Sequence, residues 1–431
     1  MGKVYIRTFG CQMNTYDSER IASIFNEMGF SYTENPEEAD FAVINTCSVR
    51  EKPQQKVKSE IGRLKRVNGI KIGVCGCVAQ QEGEKFLDNF KDVSFVFGTD
   101  AIGRLYEIID LVQKGQRVCD TSTNEGEISI PSFSRETSVS AFVTIMKGCD
   151  NFCSYCIVPY VRGREKSRKA EEIIREINYL VENGVREITL LGQNVNSYGK
   201  NLDENINFPK LLYMVNDIKE VKRIRFVTSH PKDFSDELIE AMIENEKVMP
   251  YLHLPLQAGS DNILKKMNRK YSYGEYLEKV AKAKERIPGL ALSSDFIVGF
   301  PGETDADFED TLRAIEEIEY ETIFAFKYSP RPKTKAFNLE DNIPDDIKSS
   351  RLDALLKKQE KITRKLMKKY LGQICEVLVE GMSKKDDSIY SGRNPQNRIV
   401  NFKSDKNIKT GDLVSVKIME AKKNSLFGLC V

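Results

Sequence analysis

Two series of short β-branched runs, each run followed by a helical pattern, constrain this chain more than any other feature. Strands that are apolar throughout, rather than alternating, are buried on both faces, and a parallel sheet covered by helices supplies that environment. The first series is "KVYIRTF" (3–9), "FAVINT" (41–46), "IKIGVC" (70–75) and "VSFVFG" (93–98), with helices expected over about 15–28 and 53–67. It predicts an N-terminal open parallel α/β sheet, Rossmann-like, over residues 1–121. The second series is "AFVTIM" (141–146), "REITLLG" (186–192), "RIRFVTS" (223–229), "YLHLP" (251–255), "LSSDFIVGF" (292–300) and "TIFAFKYS" (322–329), followed by a long amphipathic helix over 344–370. Six such units predict a partial (β/α)6 barrel over 141–370, active at the C-terminal ends of its strands, although a doubly wound sheet fits the periodicity nearly as well. Residues 122–140 are polar and Ser/Thr-rich without helical period, and read as a linker. The tail, 371–431, carries short strands broken by Gly, Asn and Lys-rich turns, which predicts a small antiparallel β-barrel of a shape often used for nucleic acid.

No apolar run approaches the roughly 18 residues needed to span a bilayer. The start, "MGKVYIRTFGCQMN", lacks the features of a signal peptide. A cytoplasmic monomer without membrane contact is expected. Thiols stay reduced there, so ten cysteines point to metal or redox chemistry rather than disulfides. With only His230 and His253, a histidine-centred triad or multi-histidine zinc site is disfavoured. Net charge is +1, but Lys357–Val431 holds 17 basic and 8 acidic residues, so +9 at this end balances −8 in the preceding 356 residues. A basic end on an acidic body suits a polyanionic partner, against the plainer reading of a solvated helix.

Within "GCDNFCSYC" (148–156), Cys149, Cys153 and Cys156 stand at C-x3-C-x2-C just after the first barrel strand. Three thiolates can hold three irons of a 4Fe–4S cluster and leave the fourth open for a substrate. A zinc site completed by a distant ligand is the alternative. With the aromatic Tyr155 before the last cysteine, the motif resembles that of the radical S-adenosylmethionine (SAM) superfamily, C-x3-C-x-aromatic-C. There the vacant iron binds SAM and the cluster reduces it to methionine and a 5′-deoxyadenosyl radical. In "LLGQNVNSYG", Gly192 is similar in place to the superfamily's contact with the methionine amine, a glycine permitting close approach. "FIVGFPGET" resembles the adenine-packing segment, with Ile297, Val298 and Gly299 nearest. Ser229 of "TSHP" and Gln257 of "HLPLQAGS" end strands three and four, within expected reach of the ribose or carboxylate; Gly and Pro at strand ends also simply make turns.

In the first series Cys11, Cys47 and Cys77 each follow a strand, and the strand ends of an open α/β sheet share one crevice. They form a second three-cysteine set, hence a second cluster, against the bland reading of cysteines as small buried hydrophobes. Cys75 competes with Cys77 but lies inside the strand pattern, so Cys77 is chosen. Cys119, Cys375 and Cys430 are assigned packing roles.

"GCQMN", "NTCSVRE", "GCVAQQEGE", "MKGCDNFCSYCIVPYVRGRE", "LLGQNVNSYG", "TSHP", "LHLPLQAGSD" and "SSDFIVGFPGET" together resemble the radical SAM methylthiotransferases. Within these the match is to the MiaB type, the tRNA-2-methylthio-N6-dimethylallyladenosine synthases, and it covers essentially the whole chain. "GCQMN" separates it from the relative that modifies a ribosomal protein. Cys75 departs from the small residue expected there. The tail resembles the TRAM RNA-binding domain. The resemblance implies two 4Fe–4S clusters and SAM in two roles, radical source and methyl donor, acting on C2 of N6-isopentenyladenosine at position 37 of tRNA, 3′ of the anticodon. It implies the anticodon stem-loop as substrate and a reduced donor such as flavodoxin or ferredoxin. Lys357, Lys358, Lys361, Arg364, Lys365, Lys368 and Lys369 on the last long helix are candidate phosphate contacts, with Lys384, Lys385, Arg393, Arg398, Lys422 and Lys423 of the tail and "RGREKSRK" (162–169). A methylthiotransferase for a protein side chain or another tRNA adenosine, an electron-transfer protein with an RNA-binding tail, and a sulfur-insertion enzyme for a lipoyl-type substrate are the competing readings.

Overall fold

The structure is a computed structural model describing residues 2–48, 51–123, 138–203 and 205–431, with backbone alone over 51–55. Its first part comprises β1 (Gly2–Thr8), α1 (Gln12–Glu27), β2 (Phe30–Tyr32), β3 (Phe41–Thr46), α2 (Glu51–Leu64), β4 (Lys71–Gly76), α3 (Cys77–Glu82), α4 (Glu84–Asn89), β5 (Val93–Phe97), α5 (Leu105–Gln113) and β6 (Val118–Asp120). The six strands are all parallel in the order β2-β1-β3-β4-β5-β6. β2 and β6 escape the sequence reading because each has three residues and lies at a sheet edge. One face buries Val4, Phe41, Phe95 and Phe97 under α1 and α5; the other buries Ala42, Ile44, Val74 and Val96 under the remaining helices. In this order the chain reverses its direction of winding between β1 and β3, where such sheets open a crevice at the strands' C-terminal ends. The linker expected over 122–140 falls mostly outside the described residues, which resume at 138.

The second part contains β7 (Ser140–Thr144), β8 (Met146–Lys147), α6 (Val158–Val161), β9 (Lys166–Ser167), α7 (Ala170–Glu182), β10 (Glu187–Leu191), α8 (Phe208–Asn216), β11 (Arg223–Phe226) and α9 (Asp236–Glu244). It continues with β12 (Tyr251–His253), α10 (Asp261–Lys266), α11 (Tyr273–Arg286), β13 (Ala291–Val298), α12 (Asp305–Ile318), β14 (Thr322–Lys327) and α13 (Asp345–Lys368). Strands β7, β10 and β11 pair in parallel, as do β12, β13 and β14, and a parallel bridge from Ile224 to Val248 joins the two sets. The six strands follow one another in sequence order, which is the partial barrel rather than the doubly wound sheet. The strand expected over 141–146 stops at Thr144. Met146–Lys147 instead pairs antiparallel with Lys166–Ser167, a two-residue ribbon from which the cysteine loop hangs.

The tail forms a closed barrel of β15 (Ile374–Ser383), β16 (Asp386–Arg393), β17 (Ile399–Lys403), β18 (Leu413–Ala421) and β19 (Ser425–Cys430), in the order β15-β16-β17-β19-β18. The expected antiparallel pairing holds at every seam but one: β17 and β19 are parallel. A ring with an odd number of strands cannot alternate direction all the way round, so closure itself demands a parallel pair. Helix α13 carries Leu355, Ile362 and Leu366 into the partial barrel's core and Met367 into that of the tail.

The tail docks at the N-terminal ends of the barrel strands, opposite the cysteine loop. Arg223 of β11 donates to the Arg393 carbonyl at 2.6 Å, and Arg225 to the carbonyls of Pro395 and Asn394 at 2.8 and 2.9 Å. Arg225 also holds Glu187 at 2.9 Å, both side chains buried. In return Arg398 binds Glu321, beside β14. Arg225→Met should therefore leave Glu187 buried without a countercharge, at a cost of about 3–5 kcal/mol. Chemical denaturation should show the loss, and limited proteolysis should release the C-terminal barrel sooner than in the wild type.

Candidate functional site

Cys149, Cys153 and Cys156 lie on the loop between β8 and β9, at the mouth of the partial barrel. Their thiols are free, and the loop is held from several sides. Ser154 donates its N–H to the Met267 carbonyl at 3.0 Å and its carbonyl accepts from Ala336 at 2.7 Å. Asn268 reaches the Phe152 carbonyl at 2.9 Å, and Phe152 takes φ +45°, a left-handed value uncommon outside glycine. Two side chains point donors at the sulfurs: Asn151 Nδ2 at 3.3 Å from Cys149 and Arg269 Nη1 at 3.3 Å from Cys153. Burial, with the neighbouring Cys153 next, pushes the Cys156 thiol up to about 12 when nothing is bound to it. Such a thiol is a poor free nucleophile and waits for a metal to bind as thiolate. Tyr155 is packed against the barrel core and lies near Arg269.

The other expected contacts sit around the same mouth in different ways. Ser229 is buried and its Oγ has no hydrogen-bond partner; the same holds for Asn151 Oδ1, Asn194 Oδ1 and His230 Nε2. A buried unsatisfied polar atom costs about 1–3 kcal/mol, so four of them around one opening fit a polar ligand such as SAM. Backbone strain collects there too: Thr228 has φ +70° and Gln257 φ +78°, conformations that side-chain-bearing residues avoid. On β13, Ile297 shares a face with Asp295 and Ser293, whose side chains meet His253 inside the barrel. Val298 points the other way and is wholly buried in the core, so only its backbone faces the mouth. Gly299 has φ +68° and its N–H donates to Glu303 at 2.7 Å. At Gly192 a Cβ would lie 2.5 Å from Met146 Cγ, so its close approach is to the cysteine loop's own ribbon.

The first sheet brings its own cysteines to the same place. Cys11 is the N-cap of α1, Cys47 follows β3 directly, and Cys77 is the first residue of α3. Cys11 and Cys47 hydrogen-bond, and that contact, aided by the charge of Arg162, lowers the Cys11 thiol to about 6 against the effect of burial. Cys77 is raised by burial, with Arg162 opposing. Cys75 lies inside β4, packed with Val4, Phe95 and Phe97 in the sheet core, and burial raises its thiol well above the usual value. Cys119, Cys375 and Cys430 are partly exposed and apart from both sets. Among the described residues no three acidic, histidine or cysteine side chains converge on a single point as ligands of one ion. Three thiols serving three different irons need not do so, and an all-sulfur set suits an iron–sulfur cluster better than a hard cation.

The two sets face each other across a buried boundary. Met13 and Tyr16 of α1 pack on Leu191, Phe142 and Val227 inside the barrel. Arg162 bonds Asp17 at 2.8 Å with both side chains buried, and Lys147 pairs with Asp100. Cys77 itself packs on Ile157 and Val161, just past Cys156. The sequence reading assigns "RGREKSRK" to RNA, but Arg162 is consumed by Asp17 and Arg168 by Glu176 at 2.7 Å. Arg398 is likewise buried in the docking of the tail, whereas Lys357, Lys361, Lys368, Lys369, Lys384 and Lys385 are exposed. Asp17, Asn151, Arg162 and Arg269 are the residues that sequence reasoning missed as parts of the site. Only Arg162 gave a signal, as part of a basic run; its partner lies 145 positions away. A cleft of about 750 Å³ runs between α1, the inner face of the barrel and the tail, lined by Gln12, Glu19, Phe142, Arg225, Tyr251 and Arg393.

Family models match three separate stretches of the chain. Residues 3–98 match the model of the uncharacterized protein family UPF0004, 143–315 that of the radical SAM superfamily, and 368–431 that of the TRAM domain. Among solved structures, the radical SAM methyltransferase TsrM from Kitasatospora setae superposes with a TM-score of 0.59 at 12% identity, over 78% of this chain and 74% of that one. The cobalamin-dependent radical enzyme OxsB superposes with a TM-score of 0.51 at 10% identity, over 84% and 56%. At these identities the likeness is one of fold alone; the match of residues 143–315 to the radical SAM model is what makes the partial barrel a radical SAM domain. Among curated proteins, the tRNA-2-methylthio-N(6)-dimethylallyladenosine synthase of Caldicellulosiruptor saccharolyticus is 48% identical over 98% of this chain and 91% of its own length. Those of Clostridium perfringens and Thermodesulfovibrio yellowstonii are 47% and 46% identical, over 98% and 99% of this chain and 96% and 98% of their own. The chain belongs to the family of tRNA-2-methylthio-N(6)-dimethylallyladenosine synthases.

The placement of Cys75 and Cys77 has a direct test. After iron–sulfur reconstitution, Cys75→Ala should retain the iron and sulfide of the wild type. Cys77→Ala should lose about four irons per chain, the content of one 4Fe–4S cluster. Loss of iron in Cys75→Ala alone would transfer the ligand role to the strand residue.

Proposed function

We propose that the chain is a radical SAM tRNA methylthiotransferase that places a methylthio group on C2 of N6-isopentenyladenosine at position 37, beside the anticodon. One SAM serves as radical source and another as methyl donor. The observation that carries the reading is the meeting of two three-cysteine sets, one at a radical SAM barrel mouth and one at the crevice of the first sheet. When bound, a 4Fe–4S cluster on Cys149, Cys153 and Cys156 supplies reductive SAM cleavage, and one on Cys11, Cys47 and Cys77 supplies the site of sulfur delivery.

The chain's own residues do the rest. Asn151 and Arg269 aim donors at Cys149 and Cys153, which steadies the thiolates as ligands. Ser229 and Asn194 offer bare polar atoms to SAM, with Gln257, Ile297 and the backbone at Val298 and Gly299 beside them. Tyr155 packs behind the cluster loop, and Gly192 lets that loop's ribbon lie flat against β10. Helix α1 covers the inner face of β7, β10 and β11 with Met13 and Tyr16 and so keeps water from the space between the sets. Gln12, next to Cys11, lines the cleft through which a nucleotide would reach that space. Exposed lysines on α13 and the tail are suited to phosphate and give salt-dependent affinity without base choice.

The substrate is the anticodon stem-loop of tRNA, the electron donor a reduced flavodoxin or ferredoxin, and the working state a cytoplasmic monomer. Among the described residues no helix is long and apolar enough to cross a membrane.

Cys153→Ala should reduce SAM cleavage to background. Cys47→Ala should still cleave SAM yet form no methylthiolated product, which separates the two sets by chemistry. The decisive assay is mass spectrometry of nucleosides from tRNA of a host lacking its own methylthiotransferase, with and without this gene. Appearance of 2-methylthio-N6-isopentenyladenosine is the expected result. Unmodified isopentenyladenosine beside a protein carrying both clusters would overturn the assignment.

A further inference from the structure

Arg162 occupies an unusual position. Its guanidinium is buried and fixed to Asp17 of α1 at 2.8 Å. Its chain neighbour Val161 packs on Cys77, and Asp17 belongs to the helix that Cys11 caps. A guanidinium stays charged at any ordinary pH, and Asp17 is its countercharge here. The same stretch of chain is also tied to the other cysteine set. The carbonyl of Gly163 accepts the Cys149 N–H at 3.3 Å, and a Cβ on Gly148 would lie 2.0 Å from the Arg164 carbonyl. Upstream, Ile157 and Val161 pack on Cys77, and the Val161 carbonyl accepts from Thr99 Oγ1 at 3.0 Å. Seven residues after Cys156 the chain has therefore touched both sets, by side chain on one and by backbone on the other.

We propose that Arg162 is a positioning residue for the sulfur-delivering centre: anchored by Asp17, its guanidinium sets the charge beside Cys11 and Cys77, and the adjoining peptide fixes that centre's separation from the Cys149 loop. The proposal rests on the two-cluster reading above. A fixed cation beside a cluster favours its more negative, reduced form and so raises its reduction potential, because charge and hydrogen bonds to the sulfurs set that potential. Asp17 contributes the opposite field. The two residues make one electrostatic device with separable signs.

The test uses reconstituted full-length protein as wild type, Arg162→Gln, Arg162→Lys and Asp17→Asn. Iron and sulfide are assayed, and a redox titration is followed by electron paramagnetic resonance. The signal that SAM does not perturb reports the Cys11, Cys47 and Cys77 centre. Its midpoint should move negative in Arg162→Gln, stay near wild type in Arg162→Lys, and move positive in Asp17→Asn. Product formation should fall about 10–100-fold in Arg162→Gln, the range typical of residues that orient metal ligands, and recover in Arg162→Lys. A merely structural role would move Arg162→Gln and Asp17→Asn in the same direction, or deplete iron equally in the Gln and Lys variants, and either result overturns the proposal. Two clusters in the wild type with an unmoved midpoint in Arg162→Gln overturns the role of Arg162 alone. One cluster in the wild type overturns the two-cluster reading and this inference with it.

Discussion

The buried boundary between the two α/β units is the constraint on which everything else depends. Both units carry their cysteines at the C-terminal ends of parallel strands, so a shared reaction space exists only if the two edges meet face to face. The contact that enforces this is electrostatic as much as apolar: Asp17–Arg162 and Lys147–Asp100 lie within it, alongside Met13 and Tyr16. Buried ion pairs contribute little net stability because desolvation offsets the attraction. Breaking one is nevertheless costly, since a lone charge is left in a poor dielectric. The effect is to penalise every other arrangement of the two units more than it stabilises this one. That is what a reaction needing two centres at a fixed separation requires.

The third part is fastened by the same kind of contact in a different place. Arg223, Arg225 and Arg398 satisfy carbonyls and carboxylates across the base of the partial barrel. Conserving a barrel's mouth for chemistry and its base for stability is the usual division in such folds. Here the base also fixes where the tail and its exposed lysines sit. Several cations that look available in sequence are spent on this docking or on neighbours: Lys423 and Arg364 share Glu360, and Lys365 binds Glu319. Surface pairs of this kind are weak, so Glu360 and Glu319 can yield to phosphate, whereas Arg398 cannot leave Glu321 without undocking the barrel.

Much of this was legible in the sequence, for identifiable reasons. The central strands were readable because burial on both faces makes them β-branched throughout, as in "FAVINT". The edge strands β2 and β6 carry only three residues each and give no period. β16, "DDSIYSGR", is polar because the wall of a small barrel faces water on one side. The cysteines of both sets were legible because each follows a strand, and that rule places residues far apart in sequence at one edge. Their supporting residues were not. Asn151 sits inside the motif as an ordinary polar residue, and Arg269 reaches Cys153 across 116 positions. A hydrogen bond between distant side chains has no periodicity, and only the fold reveals it.

Thr228 and Gln257 follow β11 and β12, and Phe152 lies in the cysteine loop, all at positive φ. A β-branched residue such as Thr228 is particularly unfavourable there, at about 1–3 kcal/mol for each such residue. The strain sits beside Ser229, His230, Asn194 and Asn151, four residues that each hold a buried polar atom without a partner. Both features lower stability, and both lie at the mouth. At the base of the barrel Arg223, Arg225 and Arg398 each reach carbonyl acceptors, although Arg223 Nε has no partner of its own. At the mouth, bare polar atoms coincide with strained backbone and free thiols, and that coincidence marks where binding of a polar ligand would complete the site.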